Sequence, residues 1–292
     1  MLKRFLGYDC FAFETPFDMA RHSSIGCGGF ADIVFYPKTV AEVTALLDKL
    51  RLDKIPYYVV GNMTNVLPPD ERTEKAIICM RNLCSYTIAD KAFVYAGASV
   101  KKVMQSAKLC GKSGMEFFHG IPCLMGGALY MNAGAGNCYV GEIVENVLVY
   151  RDGNTKIVPL SECEYSYKHS LFMGNEDVIL GATLRLTNAD EKTIADKEAY
   201  YAKRRSHLPK GRSMGCVFKN PKTHSAGELI EKSGLKGFRV GGAVVSKTHA
   251  NFIINDGGAK TADVKALIAI IKNAVSAQYG VVLEEEIRYI EP

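Results

Sequence analysis

The sequence predicts an α+β protein with more than one domain, and three observations carry that expectation. Helical and strand patterns alternate irregularly and are punctuated by hairpin signals, which does not suit a doubly wound parallel sheet. Glycines gather in turns, above all in Phe117–Gly136, FFHGIPCLMGGALYMNAGAG. At 292 residues the chain is long enough for two or three cores.

The elements follow in order. Gly26, Gly28 and Gly29 turn into an apolar strand, Ala31–Tyr36; their spacing is not that of a dinucleotide fingerprint. Thr39-x-x-Glu42 is a capping box. It opens a helix whose Val40, Val43, Leu46, Leu47 and Leu50 recur at helical spacing. Tyr57–Val60 reads as a strand entering the turn Gly61-Asn62-Met63-Thr64-Asn65, whose residue types favour N–H groups pointing one way. Strands at Ala76–Met80 and Phe93–Ala98 precede a helix capped by Ser99, with Val100, Val103, Met104 and Ala107 on one face. The glycine-rich stretch follows, read as a loop that offers backbone to a ligand or simply joins two strands. Asp152-Gly153-Asn154 between Val147–Arg151 and Thr155–Val158 signals a hairpin, and Val178–Leu186 is a further strand. Asn188–Arg205 is charged and lacks glycine and proline, as in a solvated linking helix. Ser225-x-x-Glu228 opens a helix ending at Gly234. Phe238–Val245 and Asn251–Ile254 read as strands. Thr261 is expected to cap a last helix ending at Gly280. Leu283–Ile290 reads as a final strand, with Glu284 and Glu286 on one face and Glu285 on the other.

Composition narrows the function classes. A formal charge of +5 suits an anionic small molecule and is too weak to argue for nucleic acid. Nine scattered cysteines without a C-x-x-C pair argue against a zinc site and for a reducing, cytoplasmic setting. The histidines show no metal-ligand spacing. No apolar run approaches the roughly 18 residues of a membrane span, and MLKRFLGYDC lacks the pattern of an export signal. The oligomeric state is left open.

Taken together, GGFAD, GNMTN, GIPCLMGGALYMNAGA, YKHSLF, GCVFKNP, SAGELIEKSGLKGFRVGGAVVSKTHANFIIN and LEEEIR, in this order from about Arg21 to Ile290, resemble the UDP-N-acetylenolpyruvoylglucosamine reductase family, in its shorter second type. The resemblance implies a two-subdomain FAD-binding fold of the vanillyl-alcohol-oxidase/PCMH type plus a C-terminal α+β substrate domain. The expected domains are 1–85, 86–187 and 188–292, with the final strand able to return to the FAD domain. It implies FAD-dependent reduction, by NADPH, of the enolpyruvyl group of a UDP-sugar to give UDP-N-acetylmuramate for peptidoglycan.

By that resemblance Gly61, Asn62, Met63, Thr64 and Asn65 wrap the FAD pyrophosphate. Gly120, Ile121, Pro122, Gly126, Gly127, Asn132, Ala133 and Gly134 line the flavin region. Cys216 matches the proton donor, where serine is more usual; a thiol is much the stronger acid. Glu286 matches the catalytic glutamate. Lys168 stands where an arginine is usual and supplies a point charge rather than a fork. Tyr167, Lys219 and Asn220 match substrate contacts, with Arg204 and Lys236 as weaker candidates for phosphate. The bland readings are a buried apolar cysteine, a solvated acidic edge and surface cations. Met63 and Cys123 also replace glycines usual in the FAD turns, and Leu208 replaces a glutamine. These departures leave as the alternative a diverged paralogue that binds flavin or nucleotide without this activity. Another oxidase on the same fold fits less well, because it would lack GCVFKNP and LEEEIR.

Overall fold

The computed structural model describes residues 3–292; Met1 and Leu2, which open the stretch read for an export signal, lie outside them. The described helices are α1 (Met19–His22), α2 (Val40–Leu52), α3 (Val100–Leu109), α4 (Met125–Tyr130), α5 (Glu191–Arg205), α6 (Ala226–Lys232) and α7 (Thr261–Tyr279). The chain divides into two compact units. The first takes the chain up to Glu14, Val34–Asn62 and Ala76–Ser206; the second takes Thr15–Ile33, Met63–Lys75 and His207–Pro292.

The first unit holds a four-stranded and a five-stranded sheet beside two small two-stranded ones. In the four-stranded sheet, Val34–Phe35, Ala76–Cys79 and Tyr57–Val60 lie parallel, with Phe13–Glu14 antiparallel at one edge. Helix α2 starts as its sequence requires: the Thr39 hydroxyl accepts the Glu42 N–H at 3.1 Å, and Val43, Leu46, Leu47 and Leu50 are buried. The five-stranded sheet is antiparallel, in the order Asn154–Pro159, Val144–Arg151, Val178–Leu184, Ala92–Tyr95, Tyr86–Ile88. Its leading hairpin turns through Asp152 and Gly153, both at positive φ (52° and 81°), as the dipeptide predicts. The expected apolar face of α3 is buried, but Ser99 occupies the N-cap without a side-chain bond.

Helix α5 is less solvated than its composition suggests. It packs on Glu116–Phe118. Lys108 pairs with Glu198 at 2.6 Å, Lys197 donates to the Ser113 hydroxyl at 2.9 Å, and the Tyr201 hydroxyl donates to the Cys138 thiol at 3.3 Å.

The second unit is built on an antiparallel sheet, Arg212–Cys216, Phe252–Asn255, Ala243–Val245, Arg239–Val240. Its core joins Met214, Phe218 and Ile253 to Leu229 and Ile230 of α6 and Val264, Leu267, Ile271 and Val275 of α7. Helix α6 is capped by Ser225 as expected.

Four sequence expectations are corrected here. Ala31–Tyr36 is not one strand: Phe30–Ala31 and Val34–Phe35 are separate, because buried Asp32 breaks the ladder by pairing with Arg72 and giving its N–H to the Thr73 carbonyl. Phe238–Val245 is a hairpin, bent at Gly241, which is at φ 51°. Thr261 is the first residue of α7 rather than its cap. Its hydroxyl donates to the Pro68 carbonyl at 2.6 Å, and the Asp70 carboxylate instead accepts the Thr261 and Ala262 N–H groups at 2.8 and 2.9 Å. A carboxylate at a helix start has charge on its side. Finally, Leu283–Ile290 is extended but is not one strand: only Arg288–Tyr289 forms a strand, parallel to Val66–Leu67, and Glu285 bridges to Phe218 ahead of it.

Candidate active site

In the first unit the glycine-rich stretch is a turn followed by a short helix, which the sequence reading missed. Gly120, at φ 73°, bends the chain into Ile121-Pro122, and its carbonyl accepts a bond from Arg205 of α5 at 3.2 Å. Met125 and Gly126 then donate to the Ala98 and Ala96 carbonyls as α4 begins. The glycines serve different ends. A Cβ on Gly126 would lie 2.9 Å from the Ala96 Cβ, and one on Gly134 would lie 1.9 Å from the Cys138 carbonyl oxygen; both permit close backbone packing. Gly127 is exposed and a Cβ there would meet nothing within 4 Å. At Gly61 a Cβ would sit 3.5 Å from Leu124, an ordinary contact. Ala133 spends its N–H on Ala128 and its carbonyl on Val140.

Open backbone at Gly127 beside the Gly120–Pro122 bend suits a flat ring. Two buried atoms just ahead of the bend, Glu116 Oε1 and His119 Nδ1, lack a partner in the protein. These features fit the residues to a flavin-sized group. The Gly61–Asn65 turn is left-handed at Met63 (φ 49°). That explains why glycine suits the position, yet the turn forms with a buried methionine, whose carbonyl accepts the Ser24 N–H at 3.3 Å.

Lys168 sits in a tight turn in which Ser166 and His169 exchange N–H···O bonds of 3.2 and 3.1 Å. Lys168 takes the left-handed third position at φ 54°, and Tyr167 beside it is exposed, its ring edge-on to Tyr139. The turn is anchored from behind: the Asn132 amide donates to the Ser166 carbonyl at 2.7 Å, and the buried Ser170 hydroxyl donates to the Tyr130 carbonyl at 2.7 Å. Burial pushes the Cys123 thiol up to about 12, against the opposing pull of Arg205 and Lys168. Of these two cations Arg205 touches the bend directly, at the Gly120 carbonyl.

Cys216 and Glu286 belong to the second unit. Gly215, at φ 79°, and a register shift between Ser213 and Cys216 mark where the strand deforms to present Cys216. The next residues are held from both sides. Val217 donates to the Asn251 carbonyl at 2.8 Å and accepts from Glu286 N–H at 2.7 Å. The Asn251 side chain clamps Phe218, accepting its N–H at 2.9 Å and donating to its carbonyl at 2.8 Å. Lys219 donates its backbone N–H to the Glu284 carbonyl at 2.8 Å and pairs its ammonium with the Glu284 carboxylate. The Asn220 side chain accepts the Ala226 N–H at 3.0 Å, at the start of α6.

The three glutamates diverge. Glu284 faces Lys219. Glu285 turns to Lys272 at 2.8 Å and to the Tyr289 hydroxyl; burial raises its pKa, but these two bonds prevail and hold the carboxyl below its usual range. Asn65 ties the Gly61–Asn65 turn to this segment: its amide donates to the Glu286 carbonyl at 3.2 Å, and its carbonyl accepts the Arg288 N–H at 2.9 Å.

Asn251, Ser170 and Arg205 escaped the sequence reading. Their roles rest on partners 33, 40 and 85 residues away, and no local pattern announces them. Among the described residues no three His, Cys, Asp or Glu side chains could hold a metal ion, and no helix is long and apolar enough to cross a membrane.

Comparison with known proteins agrees with this arrangement. Residues 31–157 match a family model described as an FAD binding domain. Residues 206–290 match one described as the UDP-N-acetylenolpyruvoylglucosamine reductase C-terminal domain. The reductase of that name from Lactobacillus delbrueckii subsp. bulgaricus is 36% identical over 276 residues, covering 93% of each chain. That from Geobacter metallireducens is 40% identical over 276 residues, covering 93% of this chain and 92% of its own. The crystal structure of the Thermus caldophilus reductase superposes with a TM-score of 0.83 at 32% identity, covering 96% of this chain and all of that one. The expected α+β fold, an FAD-binding part followed by a C-terminal domain, is borne out, and the chain belongs to the UDP-N-acetylenolpyruvoylglucosamine reductase family.

Proposed function

We propose that this protein reduces the enolpyruvyl group of UDP-N-acetylglucosamine enolpyruvate to give UDP-N-acetylmuramate for peptidoglycan, using NADPH as reductant and FAD as cofactor. The observation that carries the reading is the joining of the Cys216 strand to the Glu286 segment through the Val217 carbonyl. That Cys216 and Glu286, the matched donor and glutamate, lie on hydrogen-bonded backbones supports the reading. FAD, when bound, supplies a hydride carrier that NADPH charges and the substrate alkene discharges. The remaining work falls to side chains. Hydride addition to the terminal alkene carbon leaves negative charge on the adjacent carbon and its carboxylate. The Lys168 ammonium offsets that charge, and the Cys216 thiol gives its proton to the carbon. Glu286 is the carboxyl that orients the enolpyruvyl group beside the thiol.

Gly61–Asn65, with the Gly120–Pro122 bend and the open face at Gly127, would hold the cofactor. Tyr167, Lys219 and Asn220 would contact the UDP-sugar, whose negative charge suits a chain of net charge +5. Three functional domains, 1–85, 86–187 and 188–292, are supported by the four-stranded, five-stranded and last sheets falling in succession along the chain. A cytoplasmic setting is supported by nine free thiols. The test is direct. The purified protein should show oxidised-flavin absorbance and should consume NADPH beyond one equivalent of flavin only when the enolpyruvyl sugar is present. A protein that takes up no added FAD, or whose NADPH consumption ignores the sugar, overturns the proposal.

A further inference from the structure

Asn132 was expected, from the resemblance, among the residues lining the flavin. Its surroundings suggest other work. Asn132 is 3% exposed. Its amide bridges two backbones, donating to the Ser166 carbonyl at 2.7 Å and accepting the Gly141 N–H at 3.0 Å. Its backbone also ends α4. Ala133 N–H bonds the Ala128 carbonyl at 2.8 Å, Asn132 N–H bonds the Leu129 carbonyl at 3.4 Å, and Asn132 itself is left-handed at φ 43°. This is a Schellman cap, and glycine is the residue such a position favours. Four glycines stand nearby, at 126, 127, 134 and 136, yet the cap is asparagine, the residue that tolerates this backbone while keeping an amide.

We propose that Asn132 is a positioning residue: its buried amide fixes the Ser166–His169 turn, and with it the Lys168 ammonium that meets the substrate carboxylate, in place of a contact to the cofactor. The inference rests on the reading of Lys168 given above. The turn closes on two N–H···O bonds between Ser166 and His169, and Lys168 occupies its strained left-handed position. A lysine side chain is long and loses much rotamer freedom when ordered. Fixing the backbone at its root is the part of that ordering the fold can supply in advance. Ser170, fully buried and bonded to the Tyr130 carbonyl, anchors the other end.

Asn132→Gly is the informative variant, because glycine suits the cap and removes only the amide. The measurements are FAD affinity, flavin reduction by NADPH, flavin reoxidation by the enolpyruvyl sugar, and hydrogen exchange of the Ser166 and His169 amides without FAD. Reoxidation should slow by roughly 10- to 100-fold, the range a displacement of about 1 Å produces, with FAD affinity and NADPH reduction unchanged. The two amides should exchange faster. Adding Asn132→Gly to Lys168→Ala should slow the reaction no further than Lys168→Ala alone. Normal reoxidation in Asn132→Gly beside an impaired Lys168→Ala overturns the inference and leaves the function standing. So does a loss of FAD affinity, or unchanged exchange. Normal reoxidation in Lys168→Ala overturns both the role given to Lys168 and this inference.

Discussion

Replacing Asn251 by alanine should destabilise the second unit by about 4 kcal/mol. The figure follows from what the side chain does. Its amide is the partner of both the Phe218 N–H and the Phe218 carbonyl, and Phe218 is 1% exposed. Truncation leaves two buried backbone groups unsatisfied, each costing about 1–3 kcal/mol, and the range of about 2–6 centres near 4. A methyl group cannot replace either bond. The 3% exposure of Asn251 also leaves little room for water to substitute. Urea unfolding followed by circular dichroism measures the loss. Hydrogen exchange of the Phe218 amide locates it, because that N–H should lose its protection while the helical amides of α3 keep theirs. Turnover should fall as well, since Phe218 lies two residues past Cys216. A loss below about 1 kcal/mol, with the Phe218 amide still protected, would refute the reasoning and mean that the backbone finds other partners.

Three other outcomes are expected. Cys216→Ala should slow flavin reoxidation by the enolpyruvyl sugar about 10²- to 10⁴-fold and leave NADPH-driven flavin bleaching intact in stopped-flow absorbance, while Cys216→Ser keeps substantial turnover. Lys168→Ala should slow the same half-reaction and spare reduction by NADPH; equal losses in both would assign Lys168 a structural role. Glu285→Gln, which strand alternation marks as neutral, should instead cost about 1 kcal/mol, the value of a part-exposed ion pair, because Glu285 is bonded to Lys272 and Tyr289. The Glu285 carboxyl is held below its usual range in the folded protein. Its stabilisation is therefore present above the unfolded value of about 4.3 and is lost as pH falls through the folded one. The gap between wild type and Glu285→Gln in urea midpoints should be full at pH 7 and close at acid pH.

Local signals were legible and long-range ones were not. Thr39, Ser225, Gly234 and Gly280 end helices where their chemistry says they should, because each cap is settled within four residues. The Asp152-Gly153 turn is likewise local. Thr261 misled because its competitor, Asp70, stands 191 residues earlier, and a carboxylate outranks a hydroxyl at a helix start. Helix α4 was hidden by two glycines in its first turn; packing against Ala96 and Ala98 overrides their poor propensity. At the site, the glycine turns could be read from residue types. Cys216 could be singled out among nine cysteines only by resemblance, and the asparagine clamps were invisible because an amide's partner is set by tertiary contact. Met63 was taken as a threat to its turn, and the fold accommodates it by burying the side chain.

The parallel pairing of Arg288–Tyr289 with Val66–Leu67 has a consequence for the order in which the molecule is made. The Asn65 amide meets the Glu286 carbonyl 221 residues away, so the segment holding the end of the Gly61–Asn65 turn cannot acquire its strand partner until Arg288–Tyr289 has been made. At roughly 5–20 residues per second, about 10–45 s pass between synthesis of Asn65 and of Glu286. Through that interval Thr15–Ile33 and Met63–Lys75, with Ile25 and Leu67 among their core side chains, wait without the unit they complete. The segments of the first unit all precede His207. Birth of the nascent protein is thus staggered, and a chain that stops before Arg288 leaves Val66–Leu67 without its strand partner, next to the Gly61–Asn65 turn.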